Sequence, residues 1–174
     1  MQWILLVLVI SIVIGALRGG KLRNLTEIRV NAWWLLPIGF LLLAASSFVP
    51  DGYDDVAVGL VLASYAPLLL FVWLNRDLSG IWIAGLGILM NFSVILINGG
   101  MPVLEQAAVL AGETGELVLD AKHVLLTTET RLPFLADIIP LPGAVLSLGD
   151  VFLAIGVGVF LEDQMRQPLT LFAH

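Results

Sequence analysis

The sequence contains no cysteine and only two histidines, His123 and His174. Without cysteine, the chain cannot form disulfides, bind zinc through thiolates or use a thiol in catalysis. With two histidines, an all-protein transition-metal site would depend mainly on carboxylates. We therefore expect neither a metal nor another cofactor in this protein.

Charge is also scarce, at 13% of the residues, and the net charge is −6. The few basic residues are dispersed in short loops, so they form no continuous surface that could follow a phosphate backbone. Nucleic acid is therefore not an expected partner.

Apolar residues are abundant instead: 59% of the chain is hydrophobic and the mean hydropathy is +1.01. Five segments approach the roughly 17 to 25 apolar residues that a helix needs to cross a bilayer. They cover approximately residues 2–17, 32–49, 56–74, 79–97 and 147–161. The sequence predicts an all-α integral membrane protein with five transmembrane helices in a single membrane domain, residues 1–174.

The basic residues predict how these helices are oriented, because lysine and arginine in loops resist translocation. Six of them fall on one predicted side of the membrane: Arg18, Lys21, Arg23, Arg29, Arg76 and Arg166. Only Lys122 and Arg131 fall on the other side. This asymmetry predicts an outer N-terminus, an inner C-terminal tail over residues 162–174, and a multi-pass protein of a bacterial cytoplasmic (inner) membrane. Membrane lipids and other membrane protein subunits are the expected partners.

The connection between the fourth and fifth predicted helices, residues 99–145, is unusually long for a loop. Residues 103–111 have the character of a short helix behind Pro102. Residues 132–142 are too apolar for a solvated loop and too rich in proline for a long helix. We expect a partly helical outer segment that dips into the outer membrane surface or packs across the helix mouths.

Two asparagines on the fourth predicted helix, Asn91 and Asn98, are seven positions apart and so share one helical face. They fit interhelical hydrogen bonding and a helix cap, respectively. Alternatively, they form a polar pocket with Asp150, and His123 of the outer segment is a further candidate for that pocket.

Asp150 precedes the last apolar run and has two interpretations. Ser147 and Asp150 have the spacing of a capping box, in which each side chain satisfies backbone groups of the first helical turn. The other interpretation pairs Asp150 with Asp137 of the proline-rich segment. Two carboxylates near one water can share a proton and act as general base and general acid in peptide hydrolysis. The topology places Asp150 at the outer membrane edge, where a charge is comparatively inexpensive.

Two resemblances involve these residues. Nearly the whole chain resembles a bacterial membrane family named domain of unknown function 5317, which implies no known activity. The matching segments are residues 17–20, 75–76, 98–102, 123, 132–140 and 147–156. Residues 145–161 resemble the last helix of lipoprotein signal peptidases, which opens with a motif ending in a catalytic aspartate. That resemblance implies a catalytic role for Asp150, whereas Phe134 stands where the family's second motif, Asn-x-x-Asp, would place its asparagine before Asp137.

Three classes of function fit the sequence. The first is a non-catalytic accessory or scaffold subunit of a larger membrane assembly, favoured by the small size and the few intramembrane charges. The second is an intramembrane aspartyl hydrolase that uses Asp150 and Asp137. The third is a small-solute carrier, although no charged relay and no inverted repeat is evident.

Overall fold

A computed structural model describes residues 2–50, 52–112 and 122–167 of the chain. Most of these residues are helical. The helices are α1 (Gln2–Leu17), α2 (Leu35–Ser46), α3 (Asp54–Leu74), α4 (Ile81–Asn98), α5 (Glu105–Ala111) and α6 (Leu148–Arg166), with 3-10 turns at Leu22–Glu27 and Pro133–Leu135. The strands are β1 (Met101–Val103), β2 (His123–Leu125), β3 (Ile139–Leu141) and β4 (Ala144–Leu146).

Two of the described helices, α3 and α4, are long and apolar enough to cross a membrane. Helix α2 and residues 7–17 of α1 are apolar but shorter. Helix α2 begins three residues later than predicted because the backbone at Ala32 adopts a positive φ of 51°, which a right-handed helix cannot contain. Helix α6 instead continues to Arg166, so the predicted tail at 162–174 begins as helix, and its residues 168–174 lie outside the described part.

The prediction of an all-α chain was wrong for the outer segment, whose described residues contain four short strands in addition to α5. Strands β1 and β2 pair in parallel, and β3 and β4 form an antiparallel hairpin. Pro102 lies in β1 and does not start a helix, because its carbonyl oxygen accepts a hydrogen bond from Asp137 N, at 2.8 Å. Helix α5 therefore begins at Glu105. Residues 113–121 of this segment are outside the described part.

Helices α4 and α6 pack closely because small residues line their contact. A Cβ atom at Gly87 would meet the backbone of Gly149 and Leu153, and one at Gly156 would meet the backbone of Ala84. Glycine at these positions removes the side chain that would hold the two backbones apart. Two other glycines of these helices lie outside this contact: Gly85 faces Val72 of α3 and Gly158 faces Ser11 of α1.

The hydrophobic core has two parts along the helices. One cluster comprises Leu35, Phe71, Val72, Ile81 and Ile88, and the other comprises Val61, Val94, Ile95, Met101 and Leu135. The second cluster joins the ends of α3 and α4 to the outer segment, since Met101 belongs to β1 and Leu135 to the 3-10 turn.

Helix α6 begins beside the middle of α4. Gly149 lies against Asn91, which is seven residues before the end of α4. At 1.5 Å per residue, the last part of α4 extends about 10 Å beyond this contact. Leu135 packs against the cluster that includes Val94 and Ile95, so the proline-rich segment occupies space beside this part of α4. Asp150 therefore lies about two helical turns short of the end of α4.

Candidate acid pair beneath the outer segment

The β3–β4 hairpin brings Asp137 close to the start of α6, where Asp150 lies within electrostatic range of it. Ile139 pairs with Leu146, and Ile138 N donates to the Leu146 carbonyl oxygen at 3.1 Å. Asp137 enters this hairpin and Ser147 leaves it, so the two residues lie at its base. The hairpin turns at Gly143, whose φ of 79° favours glycine, and Gly143 N donates to Ala111 O of α5 at 2.7 Å.

The backbone of Asp137 is held on its other side by strand β1. Asp137 N donates to the Pro102 carbonyl oxygen at 2.8 Å, and Leu104 N donates to the Asp137 carbonyl oxygen at 2.9 Å. These two hydrogen bonds form a parallel bridge between Val103 and Asp137. The backbone at Asp137 is thereby fixed between β1 and the hairpin.

The Asp137 side chain is buried, with 7% of the residue exposed. Its Oδ1 atom accepts no hydrogen bond from the described residues. His123 Nε2 of β2 lies 3.9 Å from Asp137 Oδ2, so the two could form an ion pair only with the histidine protonated and the aspartate ionised. Burial, together with the nearby charge of Asp150, raises the pKa of Asp137 from an ordinary 3.8 to about 8. Asp137 therefore carries a proton at neutral pH.

Asp150 forms the predicted capping box at the start of α6. Ser147 Oγ accepts a hydrogen bond from Asp150 N at 3.0 Å, and Asp150 Oδ2 accepts one from Ser147 N at 3.0 Å. The capping interpretation of Asp150 is confirmed by this geometry. The cap also fixes the carboxylate in one orientation, with Oδ1 directed to α4.

Asn91 of α4 completes a closed network with these two residues. Asn91 Nδ2 donates to Asp150 Oδ1 at 3.0 Å, and Ser147 Oγ donates to Asn91 Oδ1 at 2.9 Å. Ser147 is fully buried and Asn91 is 9% exposed. Each of the two oxygens of the half-buried Asp150 carboxylate thus accepts an N–H hydrogen bond.

The side chain of Asn98 bonds to the backbone of Val94 and Arg131 and not to Asp150. Its side chain donates to the carbonyl oxygens of Val94, at 2.8 Å, and Arg131, at 2.9 Å, and accepts from Arg131 N at 2.9 Å. The asparagine therefore acts as a peptide-like partner for the backbone at Arg131. This contact anchors the start of the proline-rich segment, where Leu132 takes a positive φ of 54°.

Tyr65 was missed by the sequence reasoning. It lies in the middle of α3, half-buried, and its hydroxyl is within electrostatic range of both Asp137 and Asp150. Its ring packs edge-on against Phe92 of α4 with 5.8 Å between ring centroids. The sequence did contain one signal, a tyrosine hydroxyl inside an apolar segment. The face of α3 on which Tyr65 lies, however, is known only from the packing of the helices.

The raised pKa of Asp137 predicts a pH-dependent stability. The folded protein holds a proton that the unfolded chain releases above its ordinary pKa of 3.8. The stabilising contribution is therefore complete below about pH 4 and is lost as the pH rises through about 8. We expect the unfolding temperature of the wild type to fall across this range more steeply than that of Asp137→Asn, which has no proton to lose. Parallel curves from pH 4 to 9 would show that Asp137 is not buried as a neutral acid.

Comparison with known proteins confirms the resemblance to the family of unknown function. The model of a family of unknown function, DUF5317, matches residues 27–162. An uncharacterized protein of Thermotoga maritima is 31% identical over 153 residues, which cover 84% of this chain and 83% of that protein. No solved structure matches the chain. The match covers α2 to α5 and most of α6, and therefore both aspartates, so the chain belongs to DUF5317, a family of unknown function.

Proposed function

We propose that the chain is a multi-pass protein that crosses a bacterial cytoplasmic membrane five times, through α1 to α4 and α6, with its N-terminus outside. The lengths and hydropathy of α3 and α4 support two of these crossings. Arg18 at the end of α1 pairs with Glu162 near the end of α6 at 2.7 Å. The charged ends of α1 and α6 thus lie together, as expected if both helices reach the cytoplasmic surface.

We further propose that the protein is an intramembrane aspartyl hydrolase whose acid and base are Asp137 and Asp150. The observation that carries this proposal is the convergence of a buried acid, with one oxygen unpartnered, and a second carboxylate held in a fixed orientation. A pair of carboxylates whose environments keep one protonated is the arrangement used for acid and base catalysis of hydrolysis. The resemblance of α6 to the last helix of lipoprotein signal peptidases supports the same role for Asp150.

The proposed reaction is the addition of water to a peptide carbonyl. Asp150 takes a proton from the water while the water oxygen forms a bond to the carbonyl carbon. Asp137 gives its proton to the carbonyl oxygen. The resulting diol collapses when the carbon–nitrogen bond breaks, the amine gains the proton held by Asp150, and Asp137 regains one from a hydroxyl. The position of the pair beside the middle of α4 favours a membrane-tethered peptide as substrate.

Hydrolysis of a membrane-tethered peptide by the purified protein in lipid vesicles tests this proposal. The rate should fall as the pH rises through about 8, because Asp137 then loses the proton that it must donate. Activity that is constant from pH 6 to 10 would contradict the assignment of Asp137 as the acid.

A second candidate function, an accessory subunit of a larger membrane assembly, is favoured by α5. Val109 and Leu110 of this outer helix are 59% and 74% exposed. Contiguous exposed apolar surface marks sites of interaction with a protein or a membrane, and these two side chains are the candidate centre of such a surface. Purification in mild detergent should then retain a partner in fixed ratio, and Leu110→Glu should release it. Isolation of a solitary monomer from native membranes would count against this candidate.

A further inference from the structure

An apolar groove of about 330 Å³ runs between α1 and α6, away from the acid pair. Its walls are formed mainly by Val7, Ile10 and Ile14 of α1 and by Ala154, Ile155 and Val159 of α6. Small residues make its floor, since Gly158 faces Ser11 and the Ser11 hydroxyl donates to the Val7 carbonyl oxygen at 2.7 Å. The groove therefore presents almost no polar group to an occupant.

The length and direction of the groove fit one membrane leaflet. It extends along α6 from Ala154 to Glu162, eight residues or about 12 Å at 1.5 Å per residue. Half of a hydrocarbon core of about 30 Å is roughly 15 Å. An extended hydrocarbon chain aligned with the helices would therefore follow the groove through most of one leaflet.

A cluster of charges lies at the Glu162 end of the groove. Arg18 Nη1 and Arg166 Nη1 lie 2.7 and 3.5 Å from the same carboxylate oxygen, Glu162 Oε1. Both arginine side chains are more than half exposed, whereas that of Glu162 is 17% exposed. One carboxylate neutralises one guanidinium, so the trio retains one positive charge. Lys21, in the turn that follows α1, adds another exposed positive charge on that side, and Asp163 of α6 adds one negative charge, so the net charge of these five residues is +1.

We propose that this groove binds an anionic phospholipid of the inner leaflet, with one acyl chain between α1 and α6 and the phosphate at Arg18 and Arg166. The apolar walls match the acyl chain, and the excess positive charge at one end matches the phosphate. This site rests on the proposed membrane crossing and is independent of the proposed hydrolysis, because it lies away from Asp137 and Asp150.

Native mass spectrometry of the purified full chain, titrated with phosphatidylglycerol or phosphatidylcholine, tests the site. We expect phosphatidylglycerol to bind more tightly. Since each basic residue near a membrane surface contributes about 1 kcal/mol, the double variant Arg18→Gln and Arg166→Gln should weaken phosphatidylglycerol binding about 30-fold. Its affinity for phosphatidylcholine should change little.

Arg76→Gln is the matched control, because Arg76 stacks on Trp73, 4.7 Å from the ring centroid, and does not line the groove. Lipid binding should be unchanged in this variant. Ala154→Phe should instead reduce the binding of both lipids by filling the apolar part of the groove. Circular dichroism of each variant verifies that the helices are retained.

Two results would overturn the proposal. One is an undiminished preference for phosphatidylglycerol in the double arginine variant together with undiminished binding in Ala154→Phe. The other is the finding that a second copy of the chain occupies the groove. Because the wild type has no cysteine, a single introduced cysteine can report this contact. If Ile10→Cys, the variant's only cysteine, forms a disulfide-linked dimer in native membranes, a neighbouring protein helix and not a lipid covers the groove.

Discussion

Asp137→Asn and Asp150→Asn are each expected to lower the rate of peptide hydrolysis by about 10²- to 10⁴-fold, the usual contribution of a general acid or base. In Asp137→Asn the amide cannot supply the proton that the substrate's carbonyl oxygen needs. In Asp150→Asn the amide cannot take the proton from water. The affinity for the substrate should change little in either variant, because neither substitution alters the shape of the site. The measurement is the initial rate of cleavage of a membrane-tethered peptide in vesicles.

The two variants should differ in stability, which separates catalysis from folding. Asparagine at position 137 resembles the neutral acid that the wild type already holds there, so Asp137→Asn should fold normally. Asparagine at position 150 keeps an acceptor for Asn91 but presents an N–H group where Ser147 N now finds an oxygen. Losing one such hydrogen bond costs about 0.5 to 1.5 kcal/mol.

Asp54→Asn is the matched control for both, because Asp54 is an exposed aspartate in the first turn of α3. Its activity should equal that of the wild type. Full activity in either Asp137→Asn or Asp150→Asn, with the control behaving as expected, would exclude the acid pair as the catalytic group.

Gly149→Ala should destabilise the fold and disrupt the acid pair together. A Cβ atom at this position would meet Asn91 Oδ1 and the Gly87 carbonyl oxygen. Overpacking of this kind costs about 1 to 3 kcal/mol, and the close backbone leaves little room for relaxation. Because the same displacement moves Asn91 away from Asp150, hydrolysis should fall as well. Thermal unfolding of the detergent-solubilised protein measures the first effect and peptide cleavage the second.

Gly59→Ala provides the comparison, since Gly59 is an exposed residue of α3 and no atom lies within 4 Å of the Cβ position. Alanine is favoured over glycine inside a helix by about 0.5 to 1 kcal/mol, so this variant should be as stable as the wild type or slightly more stable. An unfolding temperature for Gly149→Ala equal to that of Gly59→Ala would show that α4 and α6 are not in close contact at Asn91.

The apolar segments could be located from the sequence because hydropathy and length are local properties. The bounds of α1 agree with those predicted from the sequence, and the bounds of α3 and α4 lie within two residues of their predicted values. The capping box at Ser147 and Asp150 was also predictable, since its two partners are three residues apart. The strands of the outer segment were not, because each contains three residues and depends on a partner elsewhere in the chain.

In the candidate site, too, the local features were predictable from the sequence and the contacts between distant residues were not. That Asp150 caps a helix follows from four consecutive residues, and an unusual role for Asp137 could only be raised as an alternative. Asn91 and Asn98 share a helical face, yet Asn91 meets Asp150 while Asn98 holds the backbone at Arg131. Helical periodicity gives the direction of a side chain around its own axis, but it does not give the depth at which a neighbouring helix begins.

The sequence by itself determined an apolar helical chain, the positions of its main helices and the cap on α6, because composition, periodicity and short spacings act locally. Only the tertiary structure decided that α6 starts beside Asn91 and that the β3–β4 hairpin returns Ser147 to Asp137. The burial of Asp137 and its proximity to Asp150 follow from that arrangement. The physical reason is that the pKa of a carboxyl group depends on the water and the charges around it, and those are supplied by residues far away in the sequence.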